Sequence, residues 1–241
     1  MYDMGKKVMN STTTSNKILV VDDEQDILEI LHFNLSKAGY EVTTATSAEA
    51  ALTLLDDSYS LLLLDIMMDG MSGLQMAEQL RQEGNMIPII FLTAKTTEKD
   101  LLTGFSYGAD DYIKKPFSIK EVIARVNSVL VRSSLPQDYS GSIITAGPLT
   151  IDTEAKSVSA DGKPIELTRT EYDILHLLVQ NEGRLLSREK ILDAVWCEKQ
   201  NVIDRTVDVH IARMRKKLGP FAPLISNRVG FGYYFKSDAL N

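Results

Sequence analysis

The chain has 241 residues, 44% of them apolar, and a formal net charge of −7. That length suggests one or two globular domains, and no apolar run approaches the roughly 20 residues of a membrane span. Cys197 is the only cysteine, which excludes an internal disulfide and fits a reducing cytoplasm. The acidic balance argues against indiscriminate nucleic-acid binding. Charge is nevertheless uneven: residues 1–141 hold 12 Lys and Arg against 20 Asp and Glu, and residues 142–241 hold 14 against 13. The basic side chains of the second part are locally clustered, and that clustering says more than the net value.

Residues 1–16 are polar, lack the apolar core of a signal peptide and are expected to be a disordered tail. From 17 to 132 apolar runs alternate with helical periodicity. Strands are expected at 17–21, 40–45, 60–64, 87–92 and 111–113, and helices at about 25–38, 47–57, 73–83, 97–107 and 118–131. Five such units imply an α/β domain, a parallel sheet with both faces covered. Ser133 to Gly141 is polar with Pro and Gly, and reads as a linker. A second, α+β domain is expected over 142–238. Short antiparallel strands come first, with Ala160-Asp161-Gly162-Lys163 as a hairpin turn. Three helices follow: one capped by Thr168 or Thr170, one running from Ser187 to about Trp196, and one from about Val202 to Leu218. The last hairpin runs from Leu224 to Phe235.

Several polar groups stand at the ends of the first domain's expected strands. Asp22 and Asp23 follow the first, Asp65 the third, Thr93 the fourth and Lys115 the fifth. In a parallel α/β sheet the crevice opens at the carboxyl ends of the strands, so these groups belong to one site. Three acids, a hydroxyl and an ammonium suit a hard cation and a phosphoryl group. Asp23 and Asp65 can ligate Mg²⁺ with Asp22 assisting. Asp65 can act as nucleophile, and Lys115 and Thr93 can meet phosphoryl oxygens. Taken singly, Asp22-Asp23 also suits a helix N-cap and Asp65 a turn.

Residues 17–132 resemble the receiver domain of bacterial two-component response regulators. The matching stretches are Ile18 to Glu24, Leu64 to Met68, Ser72-Gly73, Leu92 to Lys95 and Gly108 to Phe117. The resemblance implies a doubly wound, flavodoxin- or CheY-like fold that accepts a phosphoryl group on Asp65 from a sensor histidine kinase. It implies Mg²⁺ held by Asp23, Asp65 and the carbonyl of Met67, a cis Lys115–Pro116 bond, and a switch in which Thr93 and Tyr112 move together. Asp69-Gly70 departs from the family's common Pro-Gly. Haloacid-dehalogenase-type phosphatases share the Asp, Thr and Lys, but need an acid two residues after the nucleophile. Met67 stands there and cannot transfer protons, so no enzyme is expected.

The resemblance narrows to the OmpR/PhoB subfamily. It implies a homodimer through the last receiver helix, with Arg125–Asp111 and Arg132–Asp110 as ion pairs across it and Glu121 beside them. Leu101 stands where a basic partner of Glu121 would be expected. The third helix of the second domain carries Val207, Ile211, Met214 and Leu218 as an inward stripe. Its opposite face carries Arg205, Thr206, Val209, His210, Arg213 and Lys216, with Arg215 nearby. Leu167 to Tyr172, Arg205 to Ile211, Arg213 to Leu218 and Gly230 to Tyr233 resemble the subfamily's winged helix. That implies a major-groove helix and a minor-groove hairpin on double-stranded DNA. Arg213 is the best candidate for a base contact, with Arg205, Arg215 and Lys216 on phosphates. Val209 would suit a thymine methyl. Arg228-Val229 inverts the usual order, so the arginine's face is open. Trp196 and the 197–203 loop correspond to the segment that meets RNA polymerase in some relatives. The expectation is a cytoplasmic, phosphorylation-controlled transcription regulator on tandem half-sites. The alternative is a regulator that binds DNA without phosphorylation and uses the receiver as a constitutive dimer module.

Overall fold

The computed structural model describes residues 16–94, 107–131, 143–196 and 205–239. The first sheet takes β1 (Lys17–Val21), β2 (Glu41–Ala45), β3 (Tyr59–Asp65), β4 (Ile89–Thr93) and β5 (Asp111–Lys114) in the parallel order β2-β1-β3-β4-β5. Its central strands are apolar at every position because both faces are covered. Ile18, Val20, Leu61 and Leu63 pack under α1 (Gln25–Lys37) and α4 (Ile119–Val131). Leu19, Val21, Leu62 and Leu64 pack under α2 (Ala48–Leu54) and α3 (Gly73–Gln82). The alternation sorts each strand's side chains between the two faces.

Strand β4 starts at Ile89, two residues later than expected, and other boundaries differ or fall outside the described residues. Helix α2 stops at Leu54, three residues early: Leu55 is extended, and the Asp56 carboxylate accepts the Ser58 amide in a local turn that competes with the helix. The helix expected at 97–107 lies outside the described residues except Tyr107, as do Arg132, Leu101, Cys197, the 197–203 loop and the 133–141 linker.

The second part opens with an antiparallel sheet, β6 (Ile143–Ala146), β7 (Leu149–Asp152), β8 (Ser157–Ala160) and β9 (Lys163–Ile165). Asp161 and Gly162, with φ of 47° and 76°, make the expected two-residue turn. Helix α5 (Arg169–Gln180) starts in a complete capping box: Thr168 accepts the Glu171 amide, and Glu171 accepts the Thr168 amide. Ser187 caps α6 (Arg188–Val195). Helix α7 (Arg205–Leu218) is followed by a 3₁₀ turn (Gly219–Leu224) and the hairpin β10 (Ile225–Arg228) and β11 (Gly232–Phe235). Leu186 and Tyr233 bridge this wing to the approach of α6. One apolar cluster, with Leu175, Ile191, Val207, Met214 and Phe235 at its centre, joins all of these elements. Among the described residues no helix is long and apolar enough to cross a membrane.

Candidate functional site

The strand ends converge. Carboxylate oxygens of Asp22, Asp23 and Asp65 lie within 4.8 Å of one another, with Asp22 and Asp65 buried and Asp23 exposed. The Lys115 ammonium is 2.8 Å from Asp22 Oδ2, 3.2 Å from Asp65 Oδ2 and 3.1 Å from Glu24 Oε1. Its backbone amide donates to the Thr93 carbonyl at 2.7 Å, and the bond to Pro116 is cis. The Asp22–Asp23 pair does not cap α1, whose N-cap is Glu24 without a side-chain bond. Asp22 Oδ1 instead accepts the Glu24 amide.

The charges are mutually dependent. Burial raises the carboxyls of Asp22 and Asp65 above the usual range, even with Lys115 beside them. Burial alone would lower the Lys115 ammonium, yet its bond to Asp22 and the charges of Asp65 and Asp22 carry it above the ordinary lysine value. One ammonium thus faces several carboxylates, two of them desolvated. That donor set fits a hard dication, for which Asp22, Asp23 and Asp65 bring carboxylate oxygens together. Glu24 was not anticipated as a partner of Lys115, although its place directly after Asp22-Asp23 is a signal. Thr93 is buried at the end of β4, and Tyr112 is buried on β5 with its ring 5.5 Å from Phe91.

The acids and bases expected at a dimer surface are placed differently. Arg125 and Asp111 pair within one chain at 3.0 Å and are almost fully buried, with Glu121 Oε1 3.2 Å from Arg125 Nε. Strand β5 tucks Asp111 under α4, so the pair is internal rather than intermolecular here. Asp110 is also buried, against the second domain.

Helix α7 departs from the expected basic face as well. Thr206 and His210 are fully buried, because the inward face is wider than the stripe of Val207, Ile211, Met214 and Leu218. His210 packs on Trp196 with centroids 5.5 Å apart. Trp196 is itself buried and its indole N–H donates to the Asp110 carbonyl, so it offers no surface to another protein here. Val209 is half-buried against the receiver's apolar cluster. Arg213 sits 3.2 Å from the buried Glu171 carboxylate, which Lys217 approaches to 2.7 Å. Burial alone would raise Glu171, but Arg213 and Lys217 hold it below the usual glutamate range. Arg215 donates to the Ile225 carbonyl and to Asn227, bracing the wing. Arg205 and Lys216 are exposed, and so is Arg228, whose guanidinium lies 5.2 Å over the Phe231 ring at the wing tip.

A doubly wound sheet with an acid–lysine site at its strand ends, followed by a winged helix, defines a DNA-binding response regulator. The comparisons agree: residues 18–127 match the response regulator receiver domain, and residues 162–235 match the family described as transcriptional regulatory protein, C terminal. The response regulator ArlR of Staphylococcus haemolyticus is 40% identical over 222 residues, 91% of this chain and 99% of that protein. DrrB of Thermotoga maritima, an OmpR/PhoB homologue, is 31% identical and covers 92% of this chain and 99% of its own, with a TM-score of 0.49. A mutant of RitR is 27% identical over the same shares, with a TM-score of 0.72. The chain belongs to the OmpR/PhoB-type response regulators.

Proposed function

We propose that this protein is a phosphorylation-controlled transcription regulator in which Asp65 accepts a phosphoryl group from the phosphohistidine of a sensor kinase. The observation that carries the reading is Asp65 itself, buried at the end of the central strand β3 with Lys115 3.2 Å away and Asp22 and Asp23 beside it. In the transfer an Asp65 carboxylate oxygen forms the new P–O bond as the donor P–N bond breaks, and the electron pair stays on the histidine nitrogen. Lys115 gives its ammonium from Asp65 to a phosphoryl oxygen, and the Thr93 hydroxyl donates to another. Mg²⁺, when bound by Asp23, Asp65 and the Met67 carbonyl, supplies charge neutralisation for the acidic carboxylates and the incoming phosphoryl group.

Downstream, the phosphorylated receiver dimerises on the side of α4, and two linked winged helices occupy tandem half-sites. Helix α7 enters the major groove and the wing lies on the minor groove, with Arg205, Lys216 and Arg228 on the DNA backbone. The proposed setting is the cytoplasm. The domain limits that suit this reading are a tail to 16, a receiver over 17–132, a linker over 133–141 and a DNA-binding domain over 142–238.

The test is Mg²⁺-dependent labelling by a small phosphodonor, wild type against Asp65→Asn. Labelling is expected in the wild type and lost in the variant. Equal labelling would overturn the assignment. Unchanged oligomer size and DNA affinity on phosphorylation would favour a constitutive regulator instead.

A further inference from the structure

The three carboxylates at the strand ends are not held alike. Asp22 and Asp65 are buried and lie 2.8 and 3.2 Å from the Lys115 ammonium. Asp23 is exposed, and an exposed carboxylate turns among its rotamers unless something holds it. Its Oδ2 accepts the Asp69 backbone amide at 3.3 Å. Asp69 stands in the loop between β3 and α3.

That bond needs an N–H at residue 69. Proline, common at this place in the family, has none and would fix its own φ instead. With Asp69-Gly70 the loop gains a donor and loses a rigid ring. Gly70 adds further freedom, since its φ of 79° lies in the left-handed region. Glu49, in the first turn of α2, steadies this turn. Its Oε1 accepts the Met71 amide at 3.1 Å and lies 3.1 Å from where a Cβ on Gly70 would be. Its own backbone amide, then that of Met71, hold the Glu49 carboxyl below the usual glutamate range. The acceptor is therefore ionised at neutral pH, which makes for the stronger kind of hydrogen bond. The loop's ends are fixed separately: the Ile66 amide donates to the Leu92 carbonyl at 3.0 Å, and Ser72 closes a capping box with Gln75. Between those ends, the Asp69 and Met71 amides reach two carboxylates on different parts of the fold.

We propose that Asp69 and Glu49 are positioning residues for the cation of this site: the Asp69 amide orients Asp23, and Glu49 holds the turn that carries that amide. The inference rests on the proposed Mg²⁺-binding role of Asp23 and Asp65. Asp69 acts through its backbone, because its carboxylate is not one of the three that converge. A proline would stiffen the loop without touching Asp23, whereas this chain ties the loop to the metal ligand itself. Filling the site then tightens the loop, and loosening the loop weakens the site, because such coupling is reciprocal.

The test titrates Mg²⁺ alone into the full-length chain as wild type, Asp69→Pro, Asp69→Ala, Glu49→Ala and Glu49→Gln. Affinity is read from the shifts of backbone amide NMR signals, and loop order from amide exchange over residues 67–71. Asp69 and Glu49 are exposed, so no cavity is opened, and a melt reports whether each variant is folded. Asp69→Pro and Glu49→Ala are expected to weaken Mg²⁺ binding roughly tenfold. Asp69→Ala loses the same carboxylate but keeps the N–H, and is expected to bind more tightly than Asp69→Pro. Glu49→Gln keeps an acceptor oxygen and is expected to recover most of the loss seen in Glu49→Ala. Exchange in the loop should slow in wild type when Mg²⁺ is added and quicken in Glu49→Ala. Equal affinities of Asp69→Pro and Asp69→Ala would overturn the role of the Asp69 N–H. Wild-type affinity in Glu49→Ala, which leaves the loop's own sequence untouched, would overturn the role of Glu49. A wild type that binds no Mg²⁺ would overturn the metal-site reading and this inference together, whereas tight wild-type binding that no variant weakens would overturn this inference alone.

Discussion

Arg125 illustrates how much a single side chain changes meaning with its surroundings. Its guanidinium is fully enclosed and pairs with Asp111 and Glu121 inside one chain. Removing one partner of a buried pair leaves an uncompensated charge. Arg125→Ala is therefore expected to cost the receiver about 3–5 kcal/mol, read from denaturant unfolding at concentrations where the chain is monomeric. Arg125→Met with Asp111→Leu should recover most of that loss, since only Glu121, whose side chain reaches solvent, loses its partner. His210 offers a second residue-scale outcome. Burial lowers its imidazole to about 4, so it is neutral in the folded chain, whereas the unfolded chain takes the proton near 6.5. Between those values the unfolded state binds more protons, and stability falls as pH drops through the window. Denaturant midpoints compared at about pH 7 and about pH 4.5 should show this decline, and His210→Gln should flatten it.

Among the elements, the junction of β3 and α3 holds Asp65, the proposed nucleophile, in close quarters. A Cβ on Gly73 would lie 2.0 Å from the Asp65 carbonyl oxygen, so only glycine lets the start of α3 pass that close to the end of β3. Gly73→Ala is expected to cost about 1–3 kcal/mol and to slow labelling of Asp65, because the strand end must shift. A circular dichroism melt and the phosphodonor assay read the two effects separately. The strands and the site were legible in the sequence at this scale. Apolar runs ending in Asp, Thr or Lys state both the burial of a strand and the chemistry at its end. The face of α7 was legible only in part. Its stripe from Val207 to Leu218 follows from spacing, but the packing of His210 on Trp196 is not revealed by any helical period.

For the whole molecule, the arrangement of two domains governs which charges meet solvent. Arg205, Lys216 and Arg228 are exposed, whereas Arg213 and Lys217 are drawn to Glu171. Lys216→Ala is expected to weaken DNA binding about equally for all sequences and to reduce the slope of log affinity against log salt by about 1, measured by titration at several salt concentrations. Phosphorylation is expected to convert a compact monomer into a dimer of larger radius, seen by light scattering.

The sequence by itself determined the two domains, the parallel sheet and the acidic site with Lys115. Those features follow from local periodicity and from which residue ends each strand, and both are written along a single stretch of chain. Only the tertiary structure decided that Asp110 caps a helix sixty residues away and that Glu171 gathers Arg213 and Lys217. Only there, too, did the expected DNA face prove half covered. The reason is physical: a helix's periodicity marks the face that packs in its own domain, whereas the partner of its other face is set by long-range burial and charge. A lone Asp before a strand and a Thr at a helix start look ordinary until folding brings them within a hydrogen bond.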